Sequence, residues 1–240
     1  MSHDPAPRRN PLGQPIGAEL PSWEPRPAPD GRVLAGRFCR LEPVDVEAHA
    51  EALFDEMHRE PQDGWTYLFE GPYPDLEAYR SWLRGFCLGD DPLFYAIVVD
   101  GRPVGLAAYL RIAPQHGSIE VGHIHYAPAM RRTPAATEAM YLMMRHAFDD
   151  LGYRRYEWKC DDLNAGSRRA AERFGFRYEG TFRQAVVYRG RNRDTAWYAL
   201  LDREWPERRR VFEAWLSPEN FDGEGRQRKR LGDFEPSGGR

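Results

Sequence analysis

SIEVGHIHYAPAMRRTPAATEAMYLMMRHAF, residues 118 to 148, decides how the chain folds. Its first nine residues read as an apolar strand, and its second half reads as a helix entered through a tight corner. Thr133 followed by Pro134 is a strong helix start: the hydroxyl accepts a bond from an amide two or three residues on, and proline loses nothing at the first helical position. Ala136, Met140, Met143, Ala147 and Leu151 then form one buried stripe, ended by Gly152. A strand turning into a helix N-terminus is also a place where phosphate groups are held. Such loops are usually rich in glycine, and this one has none. The amides of Arg131, Arg132, Thr133, Ala135 and Ala136 remain, with two guanidinium groups suited to phosphate oxygens. From these residues alone the corner is either a plain capped helix or an anion site.

Working outward, RFCRLEPV (37 to 44) alternates like a strand, and Asp45 caps a helix whose Val46, Ala50, Leu53, Phe54 and Met57 share a face. A second helix starts near Asp75, with Leu76, Tyr79, Leu83 and Phe86 at helical spacing. LFYAIVVD and PVGLAAYLRI flank Asp100-Gly101 as a hairpin, and SIEVGHIHY supplies a third antiparallel strand. After the 133 to 151 helix come a strand (YRRYEWKC), a short helix over 165 to 174, two strands joined by RGRN, and a proline-started helix, PERRRVFEAWL. The order β, α, α, three strands, α, β, α, hairpin predicts an α/β (α+β) fold, with helices on both faces of one mixed sheet.

Composition sets outer limits. A chain of 240 residues with 41% apolar content and seven tryptophans has ample material for a core. A formal charge of -3 shows no global bias toward nucleic acid. No stretch approaches the roughly 18 apolar residues of a membrane helix, and the N-terminus lacks a secretion signal. Cys39, Cys87 and Cys160 fit neither a disulfide framework nor a zinc pattern. A cytoplasmic protein is expected. Eight of the twenty prolines fall in residues 1 to 30, read as an extended arm that Leu12, Ile16, Leu20 or Trp23 could pin to the body. The body spans about 31 to 220, and residues 221 to 240 read as a solvated charged tail.

The ordered motifs resemble the GNAT acyltransferase superfamily, and within it the branch of ribosomal-protein N-terminal acetyltransferases. They are Glu120-Val121-Gly122 with Pro128 at a strand end, Arg131 to Ala139 in place of an acyl-CoA loop, NAGSRRAAERFGF (164 to 176), EGTFR (179 to 183), and Asp194 opening the last strand. The resemblance covers about residues 31 to 205. It implies a single mixed, mostly antiparallel sheet, splayed open between the strand ending near Tyr126 and the strand 154 to 160. It also implies an acetyl-CoA-dependent N-acetyltransferase acting on a primary amine, either a protein N-terminus or a small molecule, with no metal. Carried onto this sequence, Arg131, Arg132, Thr133, Ala135 and Ala136 bind pyrophosphate. The segment from His123 through His125 to Tyr126 pairs with the pantetheine arm, and Asn164 bonds that arm near the sulfur. The loop departs from the family form by placing Pro134 where glycine stands. A homodimer is common in the resembled branch.

Ala171 occupies the position of the family's frequent tyrosine acid. Ser167 matches a serine used instead in the ribosomal branch, as thiolate proton donor or sulfur-side hydrogen bond; a helix-turn serine serving only the backbone is the other reading. For the base, the candidates are Glu120, His123 and His125. Strand alternation puts the two histidines on one face and Glu120 on the other. The pair of histidines raises metal as a reading, yet no third or fourth ligand has usable spacing. Trp65 and Tyr67, with Phe69 and Tyr73, are candidates for the amine pocket, or else core or dimer contacts; Asp63 and Glu70 beside them attract a cation weakly. The competing reading is a non-catalytic acyl-CoA-binding sensor. A basic-tail RNA-associated protein is the weakest, because no stacking-aromatic motif accompanies the charge.

Overall fold

The computed structural model describes residues 8–59 and 62–235. A small ribbon pairs β1 (Arg8–Arg9) with β2 (Pro15–Ile16). The body then runs β3 (Leu34–Ala35), β4 (Arg40–Pro43), α1 (Val46–Met57), α2 (Leu76–Phe86), β5 (Leu93–Val99), β6 (Arg102–Ala113) and β7 (Ser118–Tyr126). It continues with α3 (Pro134–Arg145), β8 (Arg155–Asp161), α4 (Ala165–Arg173), β9 (Arg177–Tyr188), β10 (Arg191–Leu201) and α5 (Trp205–Leu216).

Eight strands form one sheet in the order β3-β4-β5-β6-β7-β8-β10-β9. Every neighbouring pair is antiparallel except β7 and β8. Those two are joined by the α3 crossover, and a parallel partner requires such a connection. Their register runs only from Ser118 opposite Arg155 to Val121 opposite Trp158. Beyond that point both strands continue without pairing, so the sheet opens as the splayed architecture expected.

Local chemistry places the helices. Asp45 caps α1 by accepting from the amides of Glu47 and Ala48, Asp75 caps α2 through Ala78, and Thr133 caps α3 through Ala136. The α2 ring of Trp82 meets Phe94 on one sheet face, while Tyr109 donates to the carbonyl of Met143 from the other. Helix α5 closes over α3 through Phe212 and Tyr141, whose ring centroids lie 5.6 Å apart.

Three segments differ from the sequence reading. The strand expected from residue 37 begins at Arg40, because the amides of Arg37, Phe38 and Cys39 all donate to the buried carboxylate of Glu138, at 2.8, 2.6 and 2.9 Å. Trp23 pins the arm by donating to the carbonyl of Gln115, while Leu12, Ile16 and Leu20 stay exposed. The segment after 220 is not simply solvated. Phe221 and Leu231 are buried, and Trp215 of α5 donates to Gln227, although Arg226, Arg228, Lys229 and Arg230 face solvent. Residues 1–7 of the arm and 236–240 of the tail lie outside the described residues.

Candidate active site

The opening between β7 and β8 forms a cleft of about 410 Å³. Gly122, His123 and Ile124 line one wall, Trp158 to Asp161 the other, and Asn164 and Ser167 its end. A second pocket of about 340 Å³ adjoins it behind His123. His123, Leu68 and Phe69 line both.

The wall on β7 is bent. Ala108 pairs with Gly122 and Leu106 with His125, so His123 and Ile124 together oppose the single residue Ala107. This is a β-bulge, with His123 in the left-handed region at φ 49°. It corrects the alternation reading: the register now puts Glu120, Gly122 and His125 in one row, on the face covered by α2. The extra residue reverses the parity of all that follows. His123 packs among Phe86 and Phe94, and His125 lies edge-on to Trp65 at 4.2 Å.

Burial dominates both imidazoles. It depresses the pKa of His123 to about 4 and that of His125 to about 3, with Arg111 and Arg131 respectively adding positive repulsion. Both are neutral near pH 7 and too weakly basic to retain an ammonium proton. Glu120 is buried and bound to two cations, Arg111 at 2.7 Å and Lys159 at 2.8 Å. Lys159 also contacts Glu157 at 2.7 Å and lies 3.6 Å from the centre of the Trp197 ring. This carboxylate therefore belongs to an ion cluster on the cleft floor. Lys159 escapes sequence reading because Glu157 and Lys159 alternate with Tyr156, Trp158 and Cys160 like a solvent-facing row.

A pH prediction follows. His125 has a folded pKa below its unfolded 6.5, so below pH 6.5 the unfolded chain binds more protons than the folded one. Stability is complete above that value and is lost as pH falls from 6.5 toward 3. Between pH 7.5 and 5.5 His125 should account for about 1 kcal/mol of lost stability, measured by urea denaturation. His125→Gln should remove that share and leave a similar one from His123, whose pKa is also depressed, and an equally steep profile in the variant would refute the assignment.

At the cleft end, Asn164 caps α4 by accepting from the Ser167 amide at 3.0 Å, which leaves its Nδ2 group for another partner. The Trp158 indole donates to Ser167 Oγ at 2.9 Å. Because indole is only a donor, Ser167 is held as an acceptor there and keeps its own O–H to donate. Trp158 itself was missed, since a lone strand tryptophan reads as core.

At the corner, Arg132 takes the left-handed conformation, φ 64°, that glycine would normally fill. Thr133 donates to the carbonyl of Met130 at 2.7 Å, and its oxygen accepts a long bond from Ala136, 3.4 Å. Ala135 and Ala136 are buried, in a first helical turn whose amides have no intrahelical acceptors. Arg131 bridges outward to Asp63 at 2.5 Å and back to the Tyr126 carbonyl at 3.2 Å. The Tyr126 hydroxyl donates to the carbonyl of Ala136, so that side chain ties β7 to α3 instead of entering the cleft. Trp65 is buried against His125, whereas Tyr67 spans the cleft mouth to the carbonyl of Leu163 at 3.1 Å.

The sequence pattern of the acetyltransferase (GNAT) domain matches residues 39–177. A GCN5-related N-acetyltransferase from Brucella melitensis is 48% identical; the alignment covers 90% of this chain and 99% of that one, with a TM-score of 0.88. A probable GNAT-family acetyltransferase from Chromobacterium violaceum is 38% identical over 82% of this chain and 100% of its own, at a TM-score of 0.76. A Bacillus subtilis (strain 168) protein with the provisional name ribosomal N-acetyltransferase YdaF is 26% identical over 170 residues, 69% of this chain and 90% of that protein. RimL, a ribosomal L7/L12 α-N-protein acetyltransferase whose structure contains coenzyme A, shares the fold at a TM-score of 0.58 and 20% identity, over 71% of this chain and 98% of its own. With a splayed sheet, a bulged strand at the opening and these matches, the chain belongs to the GNAT acetyltransferase family.

Proposed function

We propose that the protein moves an acetyl group from acetyl-CoA to a primary amine by direct transfer in a ternary complex. The observation that carries this reading is Ser167, held by the Trp158 indole as an acceptor so that its own O–H remains a donor, at the end of the cleft. The residues suit the co-substrate. Beyond Val121 the β7 backbone has no strand partner on its β8 side, which offers amide and carbonyl groups to a pantetheine arm. Asn164 Nδ2 stands beside that path. The Ala135 amide in the first turn of α3, with Arg131 and Arg132, supplies donors for pyrophosphate, whereas the Thr133 and Ala136 amides already donate to the Met130 carbonyl and the Thr133 hydroxyl.

Acetyl-CoA supplies an activated acyl carbon and a thiolate leaving group. The amine nitrogen bonds to that carbon as the C–S bond breaks, and the sulfur keeps the electron pair. Ser167 gives the sulfur a proton and regains one from solvent, while the amine proton passes to water. Holding both substrates in one cleft supplies much of the rate.

The test is calorimetric titration with acetyl-CoA, followed by a free-thiol assay against a panel of amines. Absence of binding would overturn the reading, and binding without turnover on any amine would favour the acyl-CoA sensor. Arg131→Ala should weaken acetyl-CoA binding about tenfold, the effect of one charge-assisted contact. Unchanged affinity would remove Arg131 from the cofactor site.

A further inference from the structure

We propose that the acceptor is a small primary amine on an aromatic body, bound in the pocket behind His123, and not a polypeptide N-terminus. This rests on the acetyltransferase reading and narrows its acceptor. At about 340 Å³ the pocket lies near the lower end of small-molecule sites, which run from roughly 300 to 1,000 Å³. Trp65, Tyr73, Trp82 and Phe86 form its walls, with Tyr73 and Trp82 centroids 5.4 Å apart and Trp82 and Phe86 at 6.1 Å. Glu70 is the one carboxylate in the lining.

These walls suit a ring and do not suit a peptide. Each peptide unit carries a donor and an acceptor that need partners once desolvated, and aromatic faces provide none. The roof is also tied down. Arg189 donates to the Trp65 carbonyl and Arg191 to the Thr66 carbonyl, each at 2.9 Å, while Tyr67 reaches Leu163. These three bonds fix residues 65 to 67, so the wall that Trp65 belongs to does not open for a longer chain.

The same walls meet a chemical need. The attacking amine must be neutral, yet His123 and His125 are weak bases. Exposed Glu70 at the rim draws an ammonium in but favours its charged form; deeper in, the apolar walls desolvate it, and desolvation favours the neutral amine, whose proton goes to water. The pocket thus favours the reactive form without a strong base.

The test compares 2-phenylethylamine, tryptamine, spermidine and a decapeptide with a free N-terminus in the free-thiol assay. The two aryl amines should exceed the peptide in kcat/KM by about a hundredfold and spermidine by about tenfold, since unpaired polar groups weigh heavily in a pocket built for apolar ones. A peptide or spermidine equal to or better than the aryl amines would overturn the proposal while leaving acetyl transfer intact. Failure to bind acetyl-CoA in the calorimeter would instead overturn acetyl transfer. Quenching of tryptophan fluorescence by tryptamine-free 2-phenylethylamine solutions reports occupancy independently, and no quenching counts against the pocket. Phe86 is 41% exposed, so Phe86→Ala should fold. It should raise the preference for a naphthyl over a phenyl amine about tenfold, as a widened pocket admits the larger ring; an unchanged ratio would also overturn the assignment.

Discussion

Ser167→Ala is expected to lower kcat about a hundredfold while leaving the acetyl-CoA dissociation constant within about twofold. Proton transfer to a departing thiolate contributes only as the C–S bond breaks, so its loss falls on turnover. The hydroxyl is fixed at the cleft end by the α4 cap and the Trp158 indole together. Alanine also leaves the indole N–H without its acceptor, so a purely structural role must be separated. An acetyl thioester of a more acidic thiol needs less protonation on departure. With that donor the deficit should shrink to a few-fold. A deficit independent of leaving-group acidity would show that Ser167 merely supports Trp158.

The largest stability effect is expected at Glu138. Its carboxylate accepts three backbone amides from Arg37, Phe38 and Cys39 and is 4% exposed. Glu138→Ala leaves those donors unpaired beside a cavity, a loss of about 4 kcal/mol. For a chain of this size that is about 10 °C in Tm, read by near-ultraviolet circular dichroism. Glu138→Gln should recover only part, because one amide end turns a donor toward donors. Gly36→Ala should reproduce the loss from the other side, since a β-carbon at Gly36 would land on the same carboxylate. Melting within about 2 °C of the parent for all three would refute the clamp.

These two sites also show what sequence reveals. Caps at Asp45, Asp75 and Thr133 were legible because a short polar side chain and the amides it serves lie within three residues. The turns at Asp100-Gly101 and Arg189-Gly190 were legible because glycine marks positive φ. The same marker failed at His123 and Arg132, where residues that ordinarily avoid that region adopt it. The bulge therefore passed unseen, and the face of Glu120 was misread with it. The Glu138 clamp joins residues about 100 positions apart, beyond any local pattern. The tail read as solvated because its composition is polar; its buried apolar anchors, Phe221 and Leu231, lie too far apart to leave a periodicity.

The four residue pairs joining β7 to β8 carry a consequence for engineering. On one side of that seam lie β3 to β7 with α1 and α2, which hold the aromatic pocket. On the other lie β8 to β10 with α4, which hold Asn164 and Ser167. The seam is only part of their border: Arg189 and Arg191 also bind the carbonyls of Trp65 and Thr66, and Tyr67 binds that of Leu163. A chimaera crossed at the seam should change the choice of amine only if those three bonds are carried over with the first block.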